Sequence, residues 1–203
     1  MNPAFNFRPL SYPPDAIHVS LDLETASLEP HGAIIQIGAC TTEPVNLQNF
    51  TVNVDLRSCE REGLDVSKST MEWWNKQDSE LRKQVFGGKI VIKDALDQFY
   101  GWLEYTSRDN LDRVVLWSKP QCFDIPILKT ATEKFTTYPL NHRNVGDVYT
   151  LVRTLTVQEQ EQVHNQVTAE YPALQAHNAL HDAIYQRAFI AAGLRKWNTN
   201  SSA

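Results

Sequence analysis

The chain has 203 residues, a net charge of −5 and 42% hydrophobic residues, five of its side chains being tryptophan. That length suits one well-packed domain and falls short of two. An acidic balance without a block of Lys or Arg argues against a protein that wraps duplex nucleic acid or coats a membrane through its own positive charge, although an acidic protein can act on nucleic acid when metal ions supply the charge.

Residues 1–15 carry Pro3, Pro9, Pro13 and Pro14 and read as an extended N-terminal arm, ahead of a single domain over 16–197 and a flexible tail over 198–203. Alternating or continuous apolar runs predict three strands at 16–25, 33–42 and 48–54, joined by the turn-rich Glu29-Pro30-His31-Gly32 and Glu43-Pro44, an antiparallel meander. A polar loop at 55–66 precedes two short helices, 67–77 and 78–85, and a longer one, 93–104, whose Leu96, Phe99, Tyr100 and Leu103 share a face. The run Val114-Val115-Leu116-Trp117 reads as a buried strand over 113–118. Asp124-Ile125-Pro126 then reads as a helix start, 142–145 as a last short strand, and Asp147 as the cap of a helix through Leu155. A final helix spans 178–196, and no internal repeat is visible. This order predicts an α/β fold with a mixed five-stranded sheet, three antiparallel strands first, flanked by helices.

Cys40, Cys59 and Cys122 show neither CxxC spacing nor a secretory leader, so a reducing cytoplasm is expected. No apolar run approaches the ~18 residues that span a bilayer, and no membrane partner is expected.

The chemistry is concentrated in carboxylates. A period of two puts Asp22 and Glu24 on one face of the first strand, where adjacent negative charges repel. Asp124 follows the central strand and Asp182 lies in the last helix. Taken singly, Asp124 reads as a helix cap and Asp182 as a solvated helix position. The three spacings Asp-x-Glu, Phe-Asp and His-x-x-x-x-Asp, the last from His177 to Asp182, change that reading by agreeing with one another.

With DLET, FD and HNALHD in place, the sequence resembles the DEDDh class of 3'-5' exonucleases, over about 16–192. STMEWWNKQ and VLWSKPQCFDIPIL look like its phage DexA and exonuclease VIII-like branch. The resemblance implies an RNase H-like fold and a pair of divalent ions, Mg²⁺ or Mn²⁺, which oxygen-only ligands favour over zinc. It implies that Asp22, Glu24 and Asp182 hold the ion bearing the nucleophilic water. Asp22, with Asp124 through water, would hold the second, and His177 would be the general base. If the chain is phage-encoded, its compartment is the bacterial host cytoplasm.

Five residues separate His177 from Asp182, about 140° round an ideal helix, so His177 must precede the helix start to converge on the same ions. His181 reads as a partly buried helix residue. Trp73 and Trp74 are candidates for stacking on bases, and because adjacent helical positions diverge by about 100°, one should be buried and the other exposed. Leu28 is a candidate wedge against the terminal base and Thr25 a contact to the terminal sugar. Where relatives often carry arginines, NVGDVYTL has Gly146 and Tyr149.

The leading expectation is a metal-dependent 3'-5' exonuclease that releases nucleoside 5'-monophosphates from the free 3' end of nucleic acid. Single-stranded DNA is preferred and RNA is the alternative, with the protein a monomer or homodimer. A non-catalytic nucleic-acid-binding module predicts damage among the five catalytic positions, which are intact. A zinc hydrolase using His177 and His181 predicts a third nitrogen or sulfur ligand that the sequence does not place.

Overall fold

Val19, Leu21 and Leu23 alternate with Ser20, Asp22 and Glu24 along β1 (Ile17–Thr25), giving this central strand an apolar face and a polar one. The computed structural model describes residues 12–13, 15–42, 47–138, 140–141 and 143–200. β2 (Ile34–Thr41) and β3 (Asn49–Asn53) complete the antiparallel meander, with Asp22 opposite Gly38 and Glu24 opposite Gln36. β4 (Val114–Ser118) joins β1 in parallel, β5 (Val145–Asp147) joins β4 in parallel, and the sheet order is β3-β2-β1-β4-β5.

Helices cover both faces. On the apolar face Leu21, Ile35 and Ile37 pack with Leu96 and Phe99 of α4 (Ile92–Ser107) and Leu128 of α5 (Gln121–Phe135). On the polar face lie α6 (Val148–Val152), α7 (Val157–Glu170) and α8 (Ala179–Asn200), where Val115 and Trp117 meet Leu151, Phe189 and Ile190. α8 crosses β2 at Gly38, where a side-chain carbon would fall 2.1 Å from the Ala179 carbonyl carbon, so a residue without Cβ is what lets the helix backbone reach the sheet. Gln36 fixes the contact, its Oε1 accepting the Ala179 N–H at 2.7 Å.

Several local expectations change. The loop at 55–66 contains α1 (Leu56–Arg61), started by Asp55 accepting from the Arg57 N–H. α2 (Lys68–Trp74) and α3 (Ser79–Phe86) fall where two short helices were expected. α5 begins at Gln121, three residues before Asp124, and carries Pro126 in its second turn, where the missing N–H removes only one backbone bond near the helix start. α6 ends at Val152 rather than running through Leu155, and α7 appears in a stretch to which no helix was assigned, held by a capping box between Thr156 and Glu159. Asp147 does cap α6, accepting from the Thr150 N–H, and it also accepts the Gln121 N–H at the start of α5. α8 extends to Asn200, so three residues of the expected tail are helical. The last strand lies at Val145–Asp147, later than expected, and His142 is outside the described residues. Most of the N-terminal arm lies outside them too, although Tyr12 sets its ring edge-on to His18 at 5.5 Å. Among the described residues, no helix is long and apolar enough to cross a membrane.

Candidate active site

The polar face of β1 meets helix rather than water. One turn past Asp182 on α8, Gln186 donates from Nε2 to Asp22 Oδ1 at 2.7 Å. Glu24, His177 and Asp182 bring one ligand atom each to within 4.8 Å of one another. Asp124 reaches the same site from α5 because β4 stops at Ser118. Among the described residues the edge of β1 has no strand partner on that side beyond Ser20, and the Leu23 N–H donates to Asp124 Oδ1 at 3.1 Å. Asp124 is buried, and its Oδ2 has no hydrogen-bond partner among the described residues. Three parts of the chain distant in sequence thus converge on one cluster.

The electrostatics follow from that convergence. Burial, then the charges of Asp182 and Asp124, pushes the Glu24 carboxyl up to about 8. Burial raises Asp124 to about 7 against the opposing Leu23 hydrogen bond. Asp22 is raised well above the usual carboxylate range by burial and then by Asp124, Glu24 and Asp182, with Gln186 opposing. Burial also raises Asp182, opposed first by the His177 N–H. Four carboxyls all displaced toward the protonated form make a site that calls for compensating cations. The donor set is oxygen-rich, with a buried unpartnered carboxylate oxygen at Asp124, and it fits hard divalent ions such as Mg²⁺ or Mn²⁺.

His177 lies two residues before α8 with φ 64°, a left-handed conformation uncommon for a residue with a side chain. Its backbone N–H donates to Asp182 Oδ2 at 2.8 Å, which ties the strained loop to the cluster. Its exposed ring meets Trp73 edge-on, with centroids 4.8 Å apart. The zinc alternative loses its second histidine, because His181 is half-buried and its Nδ1 accepts the Gln175 N–H at 3.0 Å.

The substrate-contact candidates divide. Leu28 is 71% exposed and Trp73 is 40% exposed, both open to a ligand. Trp74 is corrected: it is buried in the core, and its indole N–H donates to the Thr25 carbonyl oxygen at 2.9 Å, so its ring presents no face to a base. Thr25 is buried as well, its hydroxyl donating to the Ser27 carbonyl oxygen at 2.7 Å. Sequence reasoning missed Gln186 and Gln36. Gln186 had a local signal, four residues after Asp182 and so on the same helix face. Gln36 had only its place opposite Glu24, visible once the strands are in register.

Residues 17–194 match the family model described as the 3'-5' exoribonuclease Rv2179c-like domain. An exodeoxyribonuclease of Enterobacteria phage T4 is 22% identical over 183 residues, covering 80% of this chain and 76% of the phage protein. The solved nuclease domain of 3'hExo, a DEDDh family member bound to rAMP, has a TM-score of 0.61 at 10% identity, covering 91% of this chain and 94% of that one. Cell-death related nuclease 4 (CRN-4) has a TM-score of 0.58 at 12% identity, and 88% of this chain spans 64% of that protein's length. These two likenesses establish the RNase H-like exonuclease fold. With the family match running from the first residue of β1 into α8, the chain belongs to the 3'-5' exoribonuclease Rv2179c-like domain family.

Proposed function

We propose that the protein shortens single-stranded nucleic acid from its 3' end, with DNA as the preferred strand, and that Asp22, Glu24, Asp124 and Asp182 hold two divalent cations, Mg²⁺ or Mn²⁺. The observation that carries this reading is the convergence of Glu24, His177 and Asp182 within 4.8 Å, with Asp22 and Asp124 coupled electrostatically to Glu24. Bound there, such ions supply Lewis-acid activation of water and neutralise charge at the reacting phosphate.

The chain's own residues do the remaining work. Gln186 fixes the Asp22 carboxylate, and the Leu23 N–H fixes one oxygen of Asp124. Asp182 is oriented by the His177 N–H, which keeps the imidazole beside the cluster. His177 takes a proton from the attacking water. The new bond forms to phosphorus, the bond to the 3'-oxygen breaks, that oxygen takes up a proton from water, and a nucleoside 5'-monophosphate leaves a strand with a fresh 3'-hydroxyl.

DNA is supported by the resemblance to the phage exodeoxyribonuclease. RNA is the second reading, favoured by the description of the family model. The test is digestion of 5'-labelled DNA and RNA of one sequence with Mg²⁺, Mn²⁺ or chelator. The expected result is a ladder shortened by single nucleotides from DNA, abolished by chelator and by a 3' block. Equal cleavage of 3'-blocked and open strands would identify an endonuclease instead.

A further inference from the structure

Between α6, α7 and α8 lies a groove of about 410 Å³, within the size range of ligand pockets, and its walls include Lys119, Tyr149, Val152, Val157, Gln186 and Phe189. Two of these residues belong equally to the cluster. Gln186 holds Asp22, and Lys119 is among the charges that oppose the rise of Asp182. Contacts along α8 therefore have an order. Trp73 touches His177, His177 is tied to Asp182, Asp182 stands beside Glu24, Gln186 holds Asp22, and the groove opens at Gln186. One end of this line has the exposed Trp73, and the other has the exposed Tyr149.

The groove end also carries positive charge, in contrast to the acidic cluster. Lys119 Nζ lies 5.3 Å from the centroid of the Tyr149 ring, and the Arg153 guanidinium lies 6.0 Å from the same ring. An aromatic ring with two cations over an apolar wall suits a base and its phosphate together. The lining holds Glu161, which a phosphate would avoid, and Lys119, which it would approach.

We propose that this groove receives the nucleotide on the 5' side of the scissile phosphate, its base against Tyr149 and the apolar wall and its phosphate at Lys119. The proposal rests on the exonuclease reading above, with the terminal nucleotide at the Trp73 end and the rest of the strand leaving past Gln186.

The experiment compares two substrates that share a terminal nucleotide. Thymidine 5'-(p-nitrophenyl phosphate) has a reactive phosphate with no nucleotide on its far side, and a thymidine decamer has nine. Tyr149→Ala should raise KM for the decamer by roughly 5- to 150-fold while leaving the p-nitrophenyl ester unchanged. Tyr149→Phe, which keeps the ring, should restore the decamer. Binding of a fluorescent decamer, followed by anisotropy with Ca²⁺ present, should weaken in Tyr149→Ala and in Lys119→Ala. Lys119→Ala should also reduce its salt slope by about 0.7, the effect of one phosphate contact on a single strand. Equal losses on both substrates, or unchanged decamer binding, would overturn the groove assignment. Failure of the unmodified protein to hydrolyse either substrate would instead overturn the exonuclease reading, and the binding measurement would still decide the groove.

Discussion

On one side of β1, Val19, Leu21 and Leu23 enter a continuous apolar core with α4 and α5, while on the other side Ser20, Asp22 and Glu24 lie under α8. The same nine residues of chain serve both. The apolar side follows ordinary packing, with large side chains fully buried against one another. The side under α8 breaks the usual rules for an interior: its carboxyls are displaced toward the protonated form, and among the described residues Ser20 Oγ, Asp124 Oδ2 and Gln186 Oε1 are buried without hydrogen-bond partners. Stability therefore resides mainly on one face and chemistry on the other, and the chemical face carries an electrostatic burden that the apolar face offsets.

The sharpest way to break this division is to substitute neighbours on the same strand. Asp22→Asn should lower turnover by roughly 10³-fold, the scale of losing a preorganised charged group, while leaving the protein folded. Leu21→Ala, one residue away on the other face, should cost about 2–5 kcal/mol of stability and spare turnover per folded molecule. Denaturant titration alongside single-turnover cleavage separates the two, and a matching loss of activity in both variants would dissolve the distinction.

Within the chemical face, His177→Ala should slow the cleavage step by about 10²- to 10⁴-fold at saturating Mn²⁺. His181→Ala, which removes a side chain bonded to the Gln175 N–H, should act mainly on stability, by about 1 kcal/mol. A reversed result would transfer the role of base to His181.

Trp73 joins the comparison through its contact with His177. Trp73→Ala should reduce the cleavage rate by roughly 2- to 10-fold, the scale of one aromatic pair, and the loss should vanish in a His177→Ala background. A loss that instead appears wholly in KM and survives in the His177 variant would make Trp73 a stacking surface alone.

The smallest effect is thermal. Glu24 and Asp124 bind protons more tightly folded than unfolded, so between the ordinary carboxylate range and about pH 7–8 the folded state holds more protons. Its stability must then fall as pH rises through that window. In chelator, the melting temperature should drop between pH 5 and pH 8, and Mg²⁺ should flatten the slope by replacing the missing protons. A slope that Mg²⁺ leaves unchanged would place the burden elsewhere.

The strands and the carboxylate spacings were legible because both are local patterns: a period of two along β1, and a helix that carries Asp182. α7 was not, because VQEQEQVHNQVTAE buries only Val167 and has almost no apolar stripe, although the capping box at Thr156 and Glu159 was there to be read. The start of α5 was misplaced because Pro126 resembles a first helical residue, whereas the helix begins one turn earlier. The clamp of Gln36 on Ala179 and the contact of Trp73 with His177 join residues more than a hundred positions apart. Such pairings follow from register and helix docking, which no local pattern encodes.

The seat of α8 on Gly38 bears on how the protein is made. A chain still emerging from the ribosome, surrounded by RNA, already holds Asp22, Glu24 and Asp124, but His177, Asp182 and Gln186 come more than fifty residues later. Until that last helix is synthesised and settles on the glycine, the carboxylates have neither their histidine nor their fourth member. Synthesis order thus delays assembly of the proposed site until α8 has been made and docked.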